Sequence, residues 1–166
     1  ADVIAANEEA GQEGEILVSG AHVLRRYVDN PEATRESKII RPDGTVWHRT
    51  GDTGFFDARG RLWLTGRLKD RVTVDGAAIS PFPFEKSVDA LPGVQRSALI
   101  ADQFGAALVI QGQAVDPSIL WSTCQAFTIR AIRVAYVPKM PVDIRHNSKI
   151  DRARLRKMLA SGKLRT

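Results

Sequence analysis

The 166-residue chain is 43% hydrophobic with a formal net charge of +5, which provides for one ordinary core or two small ones. No apolar run reaches the roughly 20 residues that span a bilayer, so this chain does not cross one as a helix. The single cysteine, Cys124, excludes an internal disulfide framework, fits a reducing cytoplasm and reads as a small buried hydrophobe. From Ala1-Asp2-Val3 there is no initiator Met, basic leader or signal stretch, and the chain is expected to be a piece of a longer protein.

Residues 15–19 read as a short buried strand ended by Gly20. Asn30-Pro31-Glu32 starts a helix, with Asn as cap, Pro in the first turn and Glu near the positive end of the dipole. Pro42-Asp43-Gly44 marks a turn, and Val46 opens a strand running to Thr50. Residues 57–60 form a hairpin loop between Phe55-Phe56 and Leu62-Trp63-Leu64. Beyond Lys69 the pattern changes. Val72-Thr73-Val74 is a short strand stopped by Asp75-Gly76, and residues 81–91 carry Phe84, Val88 and Leu91 at helical spacing before Pro92-Gly93. Residues 94–101 and 106–111 read as two strands, and a helix capped at Asp116-Pro117 runs to Ala126. Residues 129–137 read as a third strand, residues 138–148 as a loop and residues 151–159 as a basic amphipathic helix. Trp47, Trp63 and Trp121 are expected in the core.

Residues 145–166 carry eight basic side chains against one acid, Asp151, leaving −2 for the rest. The tail is thus the basic part. A solvated helix face explains it better than nucleic-acid binding, because no aromatic residue lies between the charges for base stacking. His22, His48 and His146 are scattered, without Cys or carboxylate at ligand spacing, so no metal site is expected.

Two constellations carry chemistry. Asp52, in His48-Arg49-Thr50-Gly51-Asp52, and Arg67, in Gly66-Arg67-Leu68-Lys69-Asp70, lie 15 residues apart on either side of the expected hairpin, which can bring them together. A carboxylate can accept both hydroxyls of a ribose, and a guanidinium can hold a sugar or phosphate oxygen. Taken alone, Thr-Gly-Asp is most often a turn. Lys149 stands in Ser148-Lys149-Ile150-Asp151-Arg152, before the basic helix.

Arg49 to Asp52, Gly66-Arg67, Lys69, Gly76, Pro81 and Glu85 occur together and in order. They resemble the C-terminal portion of adenylate-forming enzymes: acyl-CoA synthetases, firefly-type luciferases and peptide-synthetase adenylation domains. Residues 141–152 resemble that family's closing motif, a Pro followed by Gly-Lys-x-Asp-Arg, with Ser148 in place of Gly. The wording of this segment is similar to the branch of fatty-acid ligases and olefin-biosynthesis β-lactone synthetases.

The resemblance implies an α+β fold. The β-rich end of a large N-terminal domain, residues 1–68, would join through a hinge to a small mobile domain, residues 69–166, with a three-stranded sheet and flanking helices. It assigns Asp52 and Arg67 to the nucleotide, Lys69 to the hinge and Lys149 to catalysis. The complete enzyme would use ATP with Mg to activate a fatty or hydroxy fatty acid as acyl-adenylate. It would then pass the acyl group to coenzyme A or cyclise it. The phosphate loop and acyl pocket would belong to a missing N-terminal large domain, leaving this chain alone inactive. The alternative is a stand-alone binding module that pairs with a separate large-domain chain, or binds nucleic acid through its basic C-terminal helix.

Overall fold

The computed structural model describes residues 2–5, 10–102, 105–143 and 149–164, with side chains from residue 10 onward. The chain divides into two compact units, Ala1–Lys69 and Asp70–Thr166. His146 and Ser148 lie outside the described residues.

The first unit contains β1 (Asp2–Ala5), β2 (Gly14–Ser19), α1 (Pro31–Ser37), β3 (Lys38–Ile40), β4 (Val46–Phe56) and β5 (Leu62–Arg67). All pair antiparallel in one sheet of order β1-β2-β4-β3, and β5 also pairs with β4. Asn30 caps α1 as its sequence predicts, its side chain accepting from the Ala33 N–H. The strand expected over residues 46–50 runs on to Phe56, because it is the centre of the sheet: β2 lies along one edge, and β3 and then β5 share the other. β3 is an addition to the elements read from sequence: it follows α1 with no residue between them, so no turn signal marks its start.

Gly54 fills a position where no side chain fits. A Cβ there would stand 2.5 Å from the Trp63 carbonyl oxygen and 3.1 Å from Ile16 Cδ1. In the β4–β5 loop the Asp57 carboxylate accepts from the Arg59 and Arg61 N–H groups, from Arg61 Nε at 2.7 Å and from Trp63 Nε1 at 2.9 Å. Trp63 is therefore not a core residue. It is 50% exposed, stacked under Arg61 and tied to a loop. Trp121 is likewise 44% exposed, on the outer face of its helix, and Trp47 is only partly buried.

The second unit contains β6 (Val72–Val74), β7 (Ala77–Ile79), α2 (Pro81–Asp89), β8 (Val94–Asp102), β9 (Gly105–Gly112), α3 (Pro117–Ala126), β10 (Arg133–Val137) and α4 (Arg152–Ala160). Asp75-Gly76 does more than stop β6. Both residues have positive φ, 50° and 81°, and form the two-residue loop of a β6–β7 hairpin, with Val74 opposite Ala77. β8 and β9 pair antiparallel, β9 and β10 parallel through α3, giving a three-stranded sheet of order β10-β9-β8. β10 is shorter than expected, since Ile129 is buried in the loop before it.

Strand alternation divides the core into two layers. Leu99, Leu108 and Ile110 pack with Phe84 and Val88 of α2, with Leu120 and Cys124 of α3, and with Val72 and Val74. Ala98, Ile100, Ala107, Val109, Ala135 and Val137 pack with Leu155 and Leu159 of α4. Helices thus cover both faces of the sheet, and burial pushes the Cys124 thiol pKa upward. Arg154, Arg156 and Lys157 on α4 are exposed, the solvated face that the sequence favours. Among the described residues no helix is long and apolar enough to cross a membrane.

Two outcomes follow for the first unit. Gly54→Ala is expected to lower stability by about 1–3 kcal/mol, the cost of overpacking against backbone, measurable by chemical denaturation. The Trp63 and Arg61 hydrogen bonds hold the Asp57 pKa down to about 2, well below the ordinary carboxylate range. Because the folded value is depressed, the stabilisation is present above the unfolded pKa and is lost as pH falls through about 2. The Trp63 indole N–H resonance should keep its folded shift down to pH 3 and collapse below it.

Candidate functional site

β4 is irregular over residues 50–52. Two steps along β2, Glu15 to Leu17, face four along β4, Thr53 to Arg49, so residues 50–52 bulge out of the ladder. Gly51 sits there with φ 70°, left-handed backbone that favours glycine. Side chains replace the missing ladder bonds. Thr50 Oγ1 donates to the Ile16 carbonyl at 2.7 Å and accepts from the Asp52 N–H at 3.0 Å. Glu15 accepts from Arg49 Nε and Nη2 at 2.9 and 2.7 Å and from the Gly51 N–H at 3.3 Å. The Glu15 hydrogen bonds and charge raise the Arg49 pKa above its ordinary value.

On the other edge of β4, β3 starts opposite His48, through Lys38, and β5 finishes opposite Asp52, through Arg67. Arg67 fills the gap between them: Nη1 donates to the Thr50 carbonyl at 3.1 Å, while Nε lies 2.8 Å from Asp52 Oδ1. The β4–β5 register sets Asp52 directly opposite Arg67. Both stay substantially open to solvent, their side chains 37% and 46% exposed. His48 turns to α1, its Nδ1 lying 3.0 Å from the Ser37 carbonyl oxygen.

Lys69 sits in a single 3-10 turn, Leu68–Asp70, where the two units meet along the chain. Lys149 belongs to the second unit and is exposed. It stands next to a small antiparallel bridge, Val142 with Ile150. The Asp143 N–H donates to the Lys149 carbonyl at 2.8 Å and the Asp151 N–H to the Pro141 carbonyl at 2.9 Å. Asp151 then caps α4, accepting from the Arg154 N–H at 2.9 Å.

Arg152 follows, with its guanidinium gripped by Glu85. Nη1 and Nη2 donate to the two carboxylate oxygens at 2.7 and 2.9 Å, and Nη1 also donates to the Leu99 carbonyl at 2.8 Å. Glu85 Oε1 accepts from the Leu99 N–H at 2.7 Å. Burial opposes the guanidinium's charge, but the Glu85 bonds and charge, with Asp70, outweigh it and hold the Arg152 pKa above its ordinary value.

Sequence reasoning missed Glu15, which no local pattern connects to Arg49, 34 residues away. It marked Glu85 and Arg152 only as motif letters. Among the described residues no group of three His, Cys, Asp or Glu side chains forms a metal site.

No family model matches the chain. It is 36% identical over 161 residues to the olefin beta-lactone synthetase of Stenotrophomonas maltophilia, covering 87% of this chain and 29% of that protein. Over 90 residues it is 43% identical to a 3-[(3aS,4S,7aS)-7a-methyl-1,5-dioxo-octahydro-1H-inden-4-yl]propanoyl:CoA ligase of Rhodococcus jostii, covering 54% of this chain and 17% of that one. Among solved structures, ATP-bound MatB from Rhodopseudomonas palustris superposes with a TM-score of 0.70 at 27% identity, over 90% of this chain and 31% of that one. The chain thus spans less than a third of each of these relatives.

If Asp52 and Arg67 are kept for a ligand rather than for the fold, Asp52→Ala should cost the isolated chain less than about 1 kcal/mol, the usual ceiling for an exposed ion pair. Thermal denaturation checks this.

Proposed function

Because the chain belongs to the adenylate-forming superfamily and matches its C-terminal portion, we propose that it is the C-terminal part of an ATP-dependent acid ligase. The acid is a fatty or hydroxy fatty acid, activated as its acyl-adenylate. The acyl group then goes to coenzyme A or to an internal hydroxyl that closes a β-lactone. The reading rests above all on the pairing of Asp52 with Arg67 beside a glycine-kinked strand. The Asp52 carboxylate can accept two ribose hydroxyls, and the Arg67 fork can turn from Asp52 to a sugar or phosphate oxygen.

The first unit supports its assignment to a larger domain. Among the described residues its buried apolar side chains are Ile16 and Val46, while Leu24, Val28, Ile40 and Leu64 are each 60% exposed or more. So thin a core is weak for 69 residues. The second unit, with two full layers, is the body that would turn about Lys69. The lone buried cysteine is in keeping with the reducing cytoplasm.

Lys149 is the catalytic residue of this reading. As carboxylate attacks the α-phosphorus and pyrophosphate leaves, negative charge grows on the phosphoryl oxygens, and a preplaced ammonium stabilises it. The magnesium expected with ATP finds no ligand cluster among the described residues.

The test separates the two half-reactions in the complete protein, with dodecanoate and 3-hydroxydodecanoate as probe acids. Lys149→Ala is expected to cut adenylation about 10²–10³-fold and to spare conversion of a preformed acyl-adenylate. Lys69→Pro, which fixes φ at the hinge, should spare adenylation and abolish thioester formation, or leave turnover intact where the product is a β-lactone. The 166-residue chain alone, as control, should show no ATP–pyrophosphate exchange. Equal loss of both half-reactions in Lys149→Ala would sink the catalytic assignment.

A further inference from the structure

The segment that carries Lys149 is anchored before and after it, at Met140 and at Arg152, by partners elsewhere in the second unit. On the entry side Gln111, in β9, accepts the Met140 N–H through Oε1 at 2.7 Å, and Met140 itself is buried. On the exit side Arg152 is three residues from Lys149 and has no freedom. Its guanidinium meets Glu85 of α2 with both terminal nitrogens, the Leu99 carbonyl of β8, and Asp70, whose Oδ2 lies 3.8 Å from Nε. The side chains of Arg152 and Glu85 are 14% and 7% exposed. Asp70 is the residue directly after Lys69 and begins the second unit. One side chain therefore reaches from the lysine segment to the start of the unit, across the free edge of its sheet.

We propose that Arg152, clamped by Glu85, is a positioning residue for Lys149: it locks the exit of the lysine segment to the β8 edge and to Asp70, so that Lys149 turns with the residues after Lys69 as one rigid body. This rests on the reading of Lys149 as catalytic and of Lys69 as hinge. Arginine suits the task where lysine would not, because a planar fork fixes direction as well as distance. The raised pKa of Arg152 keeps the fork charged throughout the working pH range.

The experiment has a structural and a kinetic arm. In the 166-residue chain, native-state hydrogen exchange is measured for the bridge amides of Asp143 and Asp151 and for the core amides of Leu108 and Val109. Arg152→Lys keeps the charge and loses the fork. It should cut bridge protection by about 10–100-fold while core protection changes only a few-fold, the signature of a local opening. Glu85→Gln, which retains an acceptor for the Leu99 N–H but removes the charge that faces Arg152, is the second variant and should act in the same direction if Arg152→Lys does not fold. Equal losses at bridge and core, or an unchanged bridge, would overturn the proposal.

In the complete protein, with dodecanoate as probe acid, Arg152→Lys should lower kcat for adenylation with little change in KM for ATP. Combined with Lys149→Ala it should cost nothing further, since residues acting through one group are non-additive. Additive losses would overturn the positioning role even where Lys149→Ala alone behaves as expected. Unimpaired adenylation in Lys149→Ala would instead overturn the reading on which the proposal rests, with the exchange result standing as a fact about the segment.

Discussion

The second unit depends on one problem and its solution: the free edge of β8. An edge strand carries backbone groups with no strand beside them, and here α2 packs along β8 and α4 beneath it, so the Leu99 N–H and carbonyl are turned into protein rather than water. Left unmet, each would cost about 1–3 kcal/mol. Glu85 and Arg152 act together as a substitute strand, one accepting the N–H and the other donating to the carbonyl. Their mutual ion pair makes each a fit partner for the other's remaining hydrogen-bonding capacity. Removing one partner strands the other as a buried charge, a loss of about 3–5 kcal/mol. The arrangement therefore joins α2, β8 and α4 by specificity of direction, which apolar contact alone does not provide.

The first unit meets a similar problem in β4 with a different outcome. Side chains again replace ladder bonds, those of Thr50 and Glu15 on one edge and that of Arg67 on the other. Here, however, the charged pair faces solvent. Water screens it, so Asp52 and Arg67 gain little from each other and either can change partner cheaply. The same chemistry, carboxylate with guanidinium, is structural when buried and available when exposed. Burial is the observation that separates the two pairs.

The sequence made the regular elements legible where they were long or well punctuated. α1, α3 and α4 announce themselves by Asn30, Asp116 and Asp151 as caps, and β8 and β9 by apolar runs long enough to be buried on both faces. Small elements were legible only where composition marked them. β6, three residues of Val-Thr-Val, reads as a strand from its β-branched run, whereas β3 and β7, also three residues each, have no such run, and without β7 the Asp75-Gly76 hairpin stays hidden. Trp63 departs from the core place its size suggests, because its indole N–H donates to the Asp57 carboxylate in a surface loop. Asp52 and Arg67 could be paired because a hairpin relates positions by counting. Glu15 with Arg49, and Glu85 with Arg152, could not. Their separations of 34 and 67 residues are set by sheet order and helix packing, which no local spacing encodes.

The placement of Lys149 shows what such distant contacts contribute to a mobile side chain. A lysine on an unrestrained loop would have to order several backbone residues, at about 1–2 kcal/mol each, before its ammonium could reach a fixed point. Here residues before and after it are fixed in advance. The Val142–Ile150 bridge lies next to it, Gln111 holds the entry and Arg152 the exit. What remains to be ordered at the lysine is mainly its own rotamer freedom, about 2 kcal/mol, which a single charge-assisted contact of about 1.5–3 kcal/mol can offset. An exposed lysine next to an anchored bridge can therefore be placed by one strong contact, and the anchoring is what makes that contact sufficient.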